Sequence, residues 1–111
     1  HAASFGVPLR ITENGLADDN DDMRASFIVS HLQVVQDAIE SGIDVRGYYH
    51  WSLVDNLEWA DGYWPEFGLI KVDYDSEDKT RTPRESASCY TEIIEAQEVT
   101  PAIQEKWGTL Y

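Results

Sequence analysis

The first group of residues with chemical potential is centred on Glu13. The run from Val7 to Thr12 carries Leu9 and Ile11 at alternate positions, as a strand does, and it ends abruptly at Glu13-Asn14-Gly15. Strict alternation would place Glu13 on the same face as Leu9 and Ile11. Barrels of parallel strands place their active sites at such C-terminal strand ends, so Glu13 is a candidate catalytic carboxylate. The alternative is a simple strand-ending turn, because Glu-Asn-Gly also favours turns.

A second polar and aromatic group lies at the end of the strand-like run from Val45 to Leu53 and just after it. Its members are Trp51, Asp55, Asn56, Glu58 and Trp59. Sugars are bound by this mixture, because their flat C–H faces stack on indole rings and their hydroxyls hydrogen bond to carboxylates. Ordinary core or loop packing is the alternative for the aromatic rings. If the two strand ends meet, the pattern favours a carbohydrate site.

One amphipathic helix is predicted between the two strands. Its apolar positions recur at helical spacing, and Gly42 stands where a helix often ends in a left-handed residue. The acidic run from Asp18 to Asp22 reads as a solvated loop whose last residue caps the helix. A calcium loop is the weaker alternative, because the run lacks the alternating ligands and distal glutamate of an EF-hand. The predicted apolar stripe is Phe27, Ile28, Leu32, Val35, Ala38 and Ile39.

The rest of the chain is predicted to form a hairpin and two helices. Leu69–Tyr74 can pair with Lys79–Arg81 across a turn at residues 75–78. Thr82-Pro83-Arg84-Glu85 predicts a helix start with a capping threonine, a proline at the first helical position and a capping-box glutamate. We expect Ala87, Tyr90, Ile93 and Ile94 to form the buried stripe of this helix. A last short helix is predicted from Thr100 to Gly108, with Trp107 buried.

The order strand, helix, strand, hairpin, helix indicates an α/β fold with a parallel strand pair. Two parallel strands cannot cover both faces of their own sheet, whereas two units of a (β/α)8 barrel would be covered in the whole barrel of ~250 residues or more. We therefore expect residues 1–111 to be the C-terminal part of a single TIM-barrel domain, with the remaining units preceding His1.

Composition excludes several classes of partner. The net charge is −13, with 21 acidic against 8 basic residues, which disfavours binding to nucleic acid and to anionic membranes. Such acidity fits a salt-rich source or simply a soluble acidic protein. The single Cys89 cannot form an internal disulfide, and no apolar run approaches the ~20 residues of a membrane span, so a cytoplasmic location is expected. His1, His31 and His50 lack metal-site spacing, and we expect neither a metal nor another cofactor.

Two segments together resemble glycoside hydrolase family 1, the β-glucosidase and β-galactosidase family. Pro8–Gly15 is similar to the nucleophile signature, whose core is Thr-Glu-Asn-Gly on the seventh barrel strand. Gly47–Trp59 is similar to the eighth-strand signature, and Phe67-Gly68-Leu69 continues the match. The segment Ser30–Gly47 is most similar to the archaeal branch. The resemblance covers nearly the whole chain and implies strands seven and eight of a TIM barrel with their helices.

The resemblance also implies a role for each site residue. Glu13 would be the nucleophile that attacks the anomeric carbon, and Trp51 would be the platform beneath the sugar. Glu58 would accept the 4- and 6-hydroxyls, and the indole N–H of Trp59 would donate to a neighbouring hydroxyl. Phe67 would close the aromatic wall of the same subsite. The implied function is hydrolysis of β-glucosides or β-galactosides by double displacement.

One part of this machinery is absent from the sequence. Retaining hydrolysis needs a second carboxyl group ~5 to 5.5 Å from the nucleophile as acid and base. The Asn-Glu-Pro motif that carries it in the family does not occur in these 111 residues. We therefore expect the chain to need the N-terminal portion of the barrel as its partner and to be inactive alone. The alternative is a non-catalytic module that binds sugar or protein through Trp51, Trp59 and Trp64.

Two glutamates bear on whether the sugar is phosphorylated. Family members that act on 6-phosphorylated sugars replace the residue at the Glu58 position and carry a cation shortly after it. Here Glu58 is retained and Glu66 is a second carboxylate, which would repel phosphate. An unphosphorylated glycoside is therefore favoured. The family usually has a basic residue at the position of Glu66.

Overall fold

The computed structural model describes residues 1–110, and its first layer is a pair of parallel strands. β1 (Leu9–Asn14) and β2 (Val45–His50) are joined by α1 (Arg24–Glu40) as a crossover. The pairing begins at Leu9 and Val45 and ends at Asn14 and His50. A short 3₁₀ turn, Ala2–Phe5, precedes β1. The predicted parallel pair and its helical crossover are confirmed.

The ladder between β1 and β2 is irregular, and this corrects the predicted alternation. The register shifts between Leu9 and Ile11 and again between Ile11 and Asn14. Ile11 and Asn14, three residues apart, line the same groove against α1. Strict alternation would put these two on opposite faces, so it is wrong here. A ladder irregularity of this kind lets an extra residue shift every following side chain by one position. The face of Glu13 therefore does not follow from Leu9 and Ile11.

The acidic loop begins α1 differently from the prediction. The carboxylate of Asp18, not that of Asp22, accepts the backbone N–H groups of Met23 (2.8 Å) and Arg24 (2.9 Å). The capping residue lies five positions before Met23 because the chain turns through Asp21, whose φ is 61°, before the helix starts. The predicted glycine at the end of the helix is confirmed, since Gly42 has φ 91°.

The predicted hairpin is confirmed, but the helix after it begins later than expected. β3 (Ile70–Val72) pairs antiparallel with β4 (Arg81–Pro83), and α2 spans Glu85–Ala96. Thr82 and Pro83 therefore belong to β4 rather than to a helix start, because pairing with β3 holds them extended. The N-terminus of α2 is capped instead by Asp21, which accepts the backbone N–H (2.9 Å) and hydroxyl (2.6 Å) of Ser86.

Three helices enclose the main apolar core. α3 (Pro101–Trp107) begins as predicted, with the Thr100 hydroxyl accepting the N–H of Ile103 at 3.2 Å. The buried stripe of α2 differs from the prediction: Cys89 is fully buried, whereas Ile94 is 51% exposed. Residues three and four apart share a helix face, and the face turned to α1 and α3 is that of Ser86, Cys89 and Ile93. The core consists of Ile28, Val29, Leu69, Cys89, Ile93, Val99 and Ile103.

Candidate active site

The C-terminal ends of β1 and β2 meet directly. The backbone N–H of Trp51 donates to the carbonyl of Asn14 at 2.9 Å, and the Tyr48 hydroxyl donates to Asn14 Oδ1 at 2.8 Å. Gly15 permits this approach, because a Cβ there would lie 1.6 Å from the carbonyl oxygen of Trp51. Glu13, next to Asn14, is exposed. The two polar groups recognised in the sequence are thus brought to one edge of the sheet.

Trp51 and Glu58 form a direct pair. The indole N–H of Trp51 donates to Glu58 Oε1 at 3.1 Å, and the peptide bond between Trp51 and Ser52 is cis. Both side chains are half-buried. One Glu58 oxygen is held by this bond, and the rest of the carboxylate retains capacity for further donors. This is an arrangement in which an aromatic face and an oriented hydrogen-bond acceptor lie side by side.

Residues 56–67 form a loop at this edge, called here the rim loop, and it displays the other aromatic candidates. Trp59 is 90% exposed and has φ 45°, in the left-handed region that a tryptophan seldom occupies. Unusual backbone of this kind tends to occur at functional sites. Phe67, at the end of the loop, is half-buried, and its carbonyl accepts the N–H of Ser52 at 3.1 Å. The loop thus carries both Trp59 and Phe67 next to the Trp51–Glu58 pair.

A buried ion cluster lies beneath the rim loop, and the sequence did not indicate it. Arg84 donates from both terminal nitrogens to the Asp55 carboxylate at 3.0 Å and also pairs with Glu66. Glu66 in turn lies 3.4 Å from Lys71. The predicted repulsion of phosphate by Glu66 is therefore not supported, because two cations offset its charge. Local sequence gives no signal that pairs Arg84 with Asp55, because the two residues lie 29 positions apart. The one hint was an acidic residue, Asp55, among aromatic neighbours.

His50 and Tyr48 belong to the last three residues of β2, and both are half-buried. Both ring nitrogens of His50 are buried without a hydrogen-bond partner in the described part of the chain. Burial lowers the pKa of His50 to about 4, and the nearby Phe67 backbone opposes this in part without forming a hydrogen bond. Burial likewise raises the pKa of Tyr48, with the neighbouring Tyr90 adding to the effect. These groups remain neutral at physiological pH.

Residues 1–110 contain neither a candidate metal site nor a candidate membrane-spanning helix. Their histidine, cysteine and acidic side chains form no group of three or more that could hold a metal ion. In the same residues, no helix has the length and apolar character needed to cross a bilayer. His31, one of the histidines considered above, stacks on Phe27 with ring centroids 3.9 Å apart and contacts the Phe27 carbonyl at 2.8 Å.

Known proteins similar to this chain point in one direction. The model of glycosyl hydrolase family 1 matches residues 3–99. The β-galactosidase of Saccharolobus solfataricus is 51% identical over 100 residues, which are 90% of this chain and 20% of that protein. The β-galactosidase of Pyrococcus woesei is 44% identical over 106 residues, 95% of this chain and 20% of that protein.

The three-dimensional comparison agrees. The β-glycosidase from Pyrococcus horikoshii superposes with a TM-score of 0.89 at 48% identity, covering 96% of this chain and 25% of that one. The chain thus spans about a fifth to a quarter of the length of these relatives.

Proposed function

Because the chain belongs to glycosyl hydrolase family 1, we propose that it is the part of a retaining β-glycosidase barrel that carries the nucleophile and much of the sugar subsite. β1 and β2 would be the seventh and eighth barrel strands. The observation that carries the proposal is the meeting of the two strand ends, where Trp51 N–H binds the Asn14 carbonyl beside Glu13. The backbone of Glu13 is thereby brought close to that of Trp51, the residue proposed as the sugar platform.

The proposed reaction is double displacement at the anomeric carbon. A carboxylate oxygen of Glu13 attacks that carbon while its bond to the leaving oxygen breaks, and the leaving oxygen takes a proton from an acid elsewhere in the barrel. Water then attacks the glycosyl ester, gives up its proton to the same group as base, and releases Glu13. The place of Glu13 near the C-terminal end of β1 supports the assignment, because barrels of parallel strands carry their active sites at these ends.

The remaining site residues would hold the sugar. Trp51 would stack beneath it, and Glu58 would accept two hydroxyls while its other contact, the Trp51 indole at 3.1 Å, fixes its orientation. Trp59 would donate its indole N–H to a hydroxyl, which its exposure of 90% permits. Phe67 would close the aromatic wall. Charge-assisted bonds from hydroxyls to a carboxylate give both affinity and selectivity for the configuration of the sugar.

The proposed substrates are unphosphorylated β-glucosides or β-galactosides. The argument rests on Glu58, a carboxylate where a phosphate group would otherwise be received. Glu66 no longer contributes to it, since Arg84 and Lys71 offset its charge. We further propose that the chain alone does not turn over glycosides, because its sequence lacks the acid/base motif.

A chimeric enzyme tests the proposal. The matching segment of the Saccharolobus solfataricus β-galactosidase is replaced by this chain, and hydrolysis of aryl β-glucosides and β-galactosides is measured. Glu13→Ala should lower kcat on the order of 10⁴-fold or more, because the covalent step loses its nucleophile. Glu95→Ala, which removes an exposed carboxylate of α2, is the matched control and should leave kcat unchanged.

Added azide gives a second readout for the Glu13→Ala chimera. The small anion can occupy the vacated space and attack the same face of the sugar, so part of the rate should return with an azide product of inverted configuration. Undiminished hydrolysis by Glu13→Ala, with the original product configuration, would remove Glu13 from the nucleophile role.

A further inference from the structure

The side chain of Arg84 hydrogen bonds to the residues on both sides of the rim loop, Asp55 and Gly68. Its Nη1 donates to Asp55 Oδ1 at 3.0 Å, immediately before the loop, and to the Gly68 carbonyl at 2.6 Å, immediately after it. Its Nη2 donates to Asp55 Oδ2 at 3.0 Å and pairs with the Glu66 carboxylate inside the loop. The side chains of Arg84 and Asp55 are 6% and 3% exposed. We call Asp55, Glu66 and Arg84 the clamp.

Asp55 completes the closure through the backbone. Its carboxylate also accepts the N–H groups of Gly68 at 2.8 Å and Val72 at 3.3 Å. The two chain segments approach so closely that a Cβ on Gly68 would lie 2.4 Å from the backbone nitrogen of Asp55. The ends of the rim loop are thus fixed to each other by a bidentate pair of defined geometry, which a point charge would not provide.

Glu66 also connects the rim loop to the segment that follows β1, the strand of Glu13. Its carbonyl accepts the N–H of Asp18 at 3.0 Å and the Nη2 of Arg24 at 2.8 Å. Glu66 therefore contributes its carbonyl to the contacts with Asp18 and Arg24 and its carboxylate to the pair with Arg84. The Glu66 carboxylate contacts Arg84 and lies 3.4 Å from the Nζ atom of Lys71.

A purely stabilising role accounts poorly for this arrangement. Buried ion pairs contribute little stability compared with apolar residues of similar volume, because desolvation of the charges offsets their attraction. What the clamp does provide is a fixed distance between the ends of a loop that is otherwise exposed at Trp59, Tyr63 and Trp64. That loop carries the residues proposed above to read the sugar.

We propose that Arg84, acting with Asp55 and Glu66, is a positioning residue that holds Glu58 and the rim loop at the distance from Trp51 that sugar recognition requires. The inference rests on the proposed function. It adds that this chain uses Glu66 as the anionic anchor of the loop.

The first test uses the chimeric enzyme with Arg84→Lys, Arg84→Met and Glu66→Gln. The aryl β-glucoside is compared with the aryl β-xyloside, which lacks the C6 hydroxymethyl group that Glu58 would bind. Arg84→Met should lower kcat/KM about ten- to a hundredfold on the glucoside, chiefly through KM, and less on the xyloside, because only the displaced contact is lost. Arg84→Lys should recover part of the loss, and the milder Glu66→Gln should show the same substrate bias.

The matched control is Arg81→Met, which removes an exposed arginine of β4 whose side chain donates to the Lys79 carbonyl at 3.3 Å. In this variant kcat/KM should stay unchanged on both the aryl β-glucoside and the aryl β-xyloside. Equal losses on the two substrates in Arg84→Met and Glu66→Gln would overturn the positioning role.

The second test does not depend on activity. Chymotrypsin cleavage after the aromatic residues of the rim loop should be faster in Arg84→Met than in Arg81→Met, at least about tenfold if the ends of the loop separate. Equal cleavage would overturn the inference even in an active enzyme. Conversely, Glu58→Gln without bias between glucoside and xyloside would refute the proposed sugar contact, while faster loop cleavage would still support the clamp.

Discussion

The carboxylate of Glu58, the proposed sugar acceptor, is oriented by a neighbouring ring. The bond from the Trp51 indole takes up one carboxylate oxygen at 3.1 Å and limits the rotation of the side chain before any sugar is present. An acceptor that is oriented in advance loses less conformational entropy when a ligand binds. The proposed platform, Trp51, and the proposed acceptor, Glu58, are therefore joined by a hydrogen bond, and a substitution at either residue should affect both.

His50 provides a pH-dependent prediction at the same scale. Its pKa is about 4 in the fold, against an ordinary value near 6.5, because burial disfavours the charged ring. Between these values the unfolded chain binds more protons than the folded one, so stability falls as pH drops from about 6.5 to 4. His50→Phe in the chimeric enzyme should reduce this fall, measured as urea unfolding midpoints at several pH values. An identical pH dependence in the variant would contradict the prediction.

At the scale of elements, the acidic loop before α1 joins two helices. Asp18 caps α1, and Asp21 caps α2 through Ser86 while it also pairs with Arg24. Carboxylates at helix N-termini are favourable because they satisfy free N–H groups and the positive end of the dipole. The loop that reads as solvated in sequence is thus partly structural, and it fixes α1 and α2 in relation to each other.

The two acids at the ends of this loop give a direct test of the cap. Asp18→Ala should cost about 1 kcal/mol of unfolding free energy in the chimera, because two backbone donors lose their acceptor. Asp22→Ala, which removes an exposed carboxylate of the same loop, should cost much less. Urea denaturation measures both, and a larger effect at Asp22 would restore the simpler interpretation of the sequence.

At the scale of the whole molecule, the chain is less compact than a domain of its length and leaves large apolar side chains exposed. The radius of gyration is 15.4 Å, whereas a compact domain of this length has about 13 Å. Large apolar side chains stand open, among them Leu53 at 66%, Trp64 at 74% and Val34 at 57%. The two-stranded sheet of β1 and β2 has no further strand on either side within residues 1–110. Open strand edges and apolar faces of this kind promote association.

We therefore expect the chain expressed alone to self-associate or to lack fixed tertiary packing. Size-exclusion chromatography should give species larger than a monomer, and near-UV circular dichroism should be weak, because aromatic rings lack their neighbours. Addition of the N-terminal portion of a relative should sharpen both signals. A monomer with a strong near-UV spectrum and a fluorescence response to sugar would instead favour the non-catalytic binding module.

Local sequence determined much of this protein. The end of β1 at Asn14, the helix that ends before Gly42 and the Thr100 cap depend on neighbours in the chain, and all three lie close to their predicted places, although no turn directly follows Glu13. The family resemblance, read from Pro8–Gly15 and Gly47–Trp59, and the archaeal branch, read from Ser30–Gly47, are likewise confirmed. Such features follow from short-range propensity or from a signature that is contiguous in the chain.

Tertiary structure decided the rest. The caps supplied by Asp18 and Asp21, the extended state of Thr82 and Pro83, and the pairing of Arg84 with Asp55 and Glu66 all depend on partners outside the local window. A carboxylate in a sequence has no fixed partner until the fold sets which donors are within reach and which are shielded from water, and burial decides the strength of the resulting bond. For that reason the sequence could propose candidate residues for the site, whereas only the fold revealed which contacts hold those residues in place.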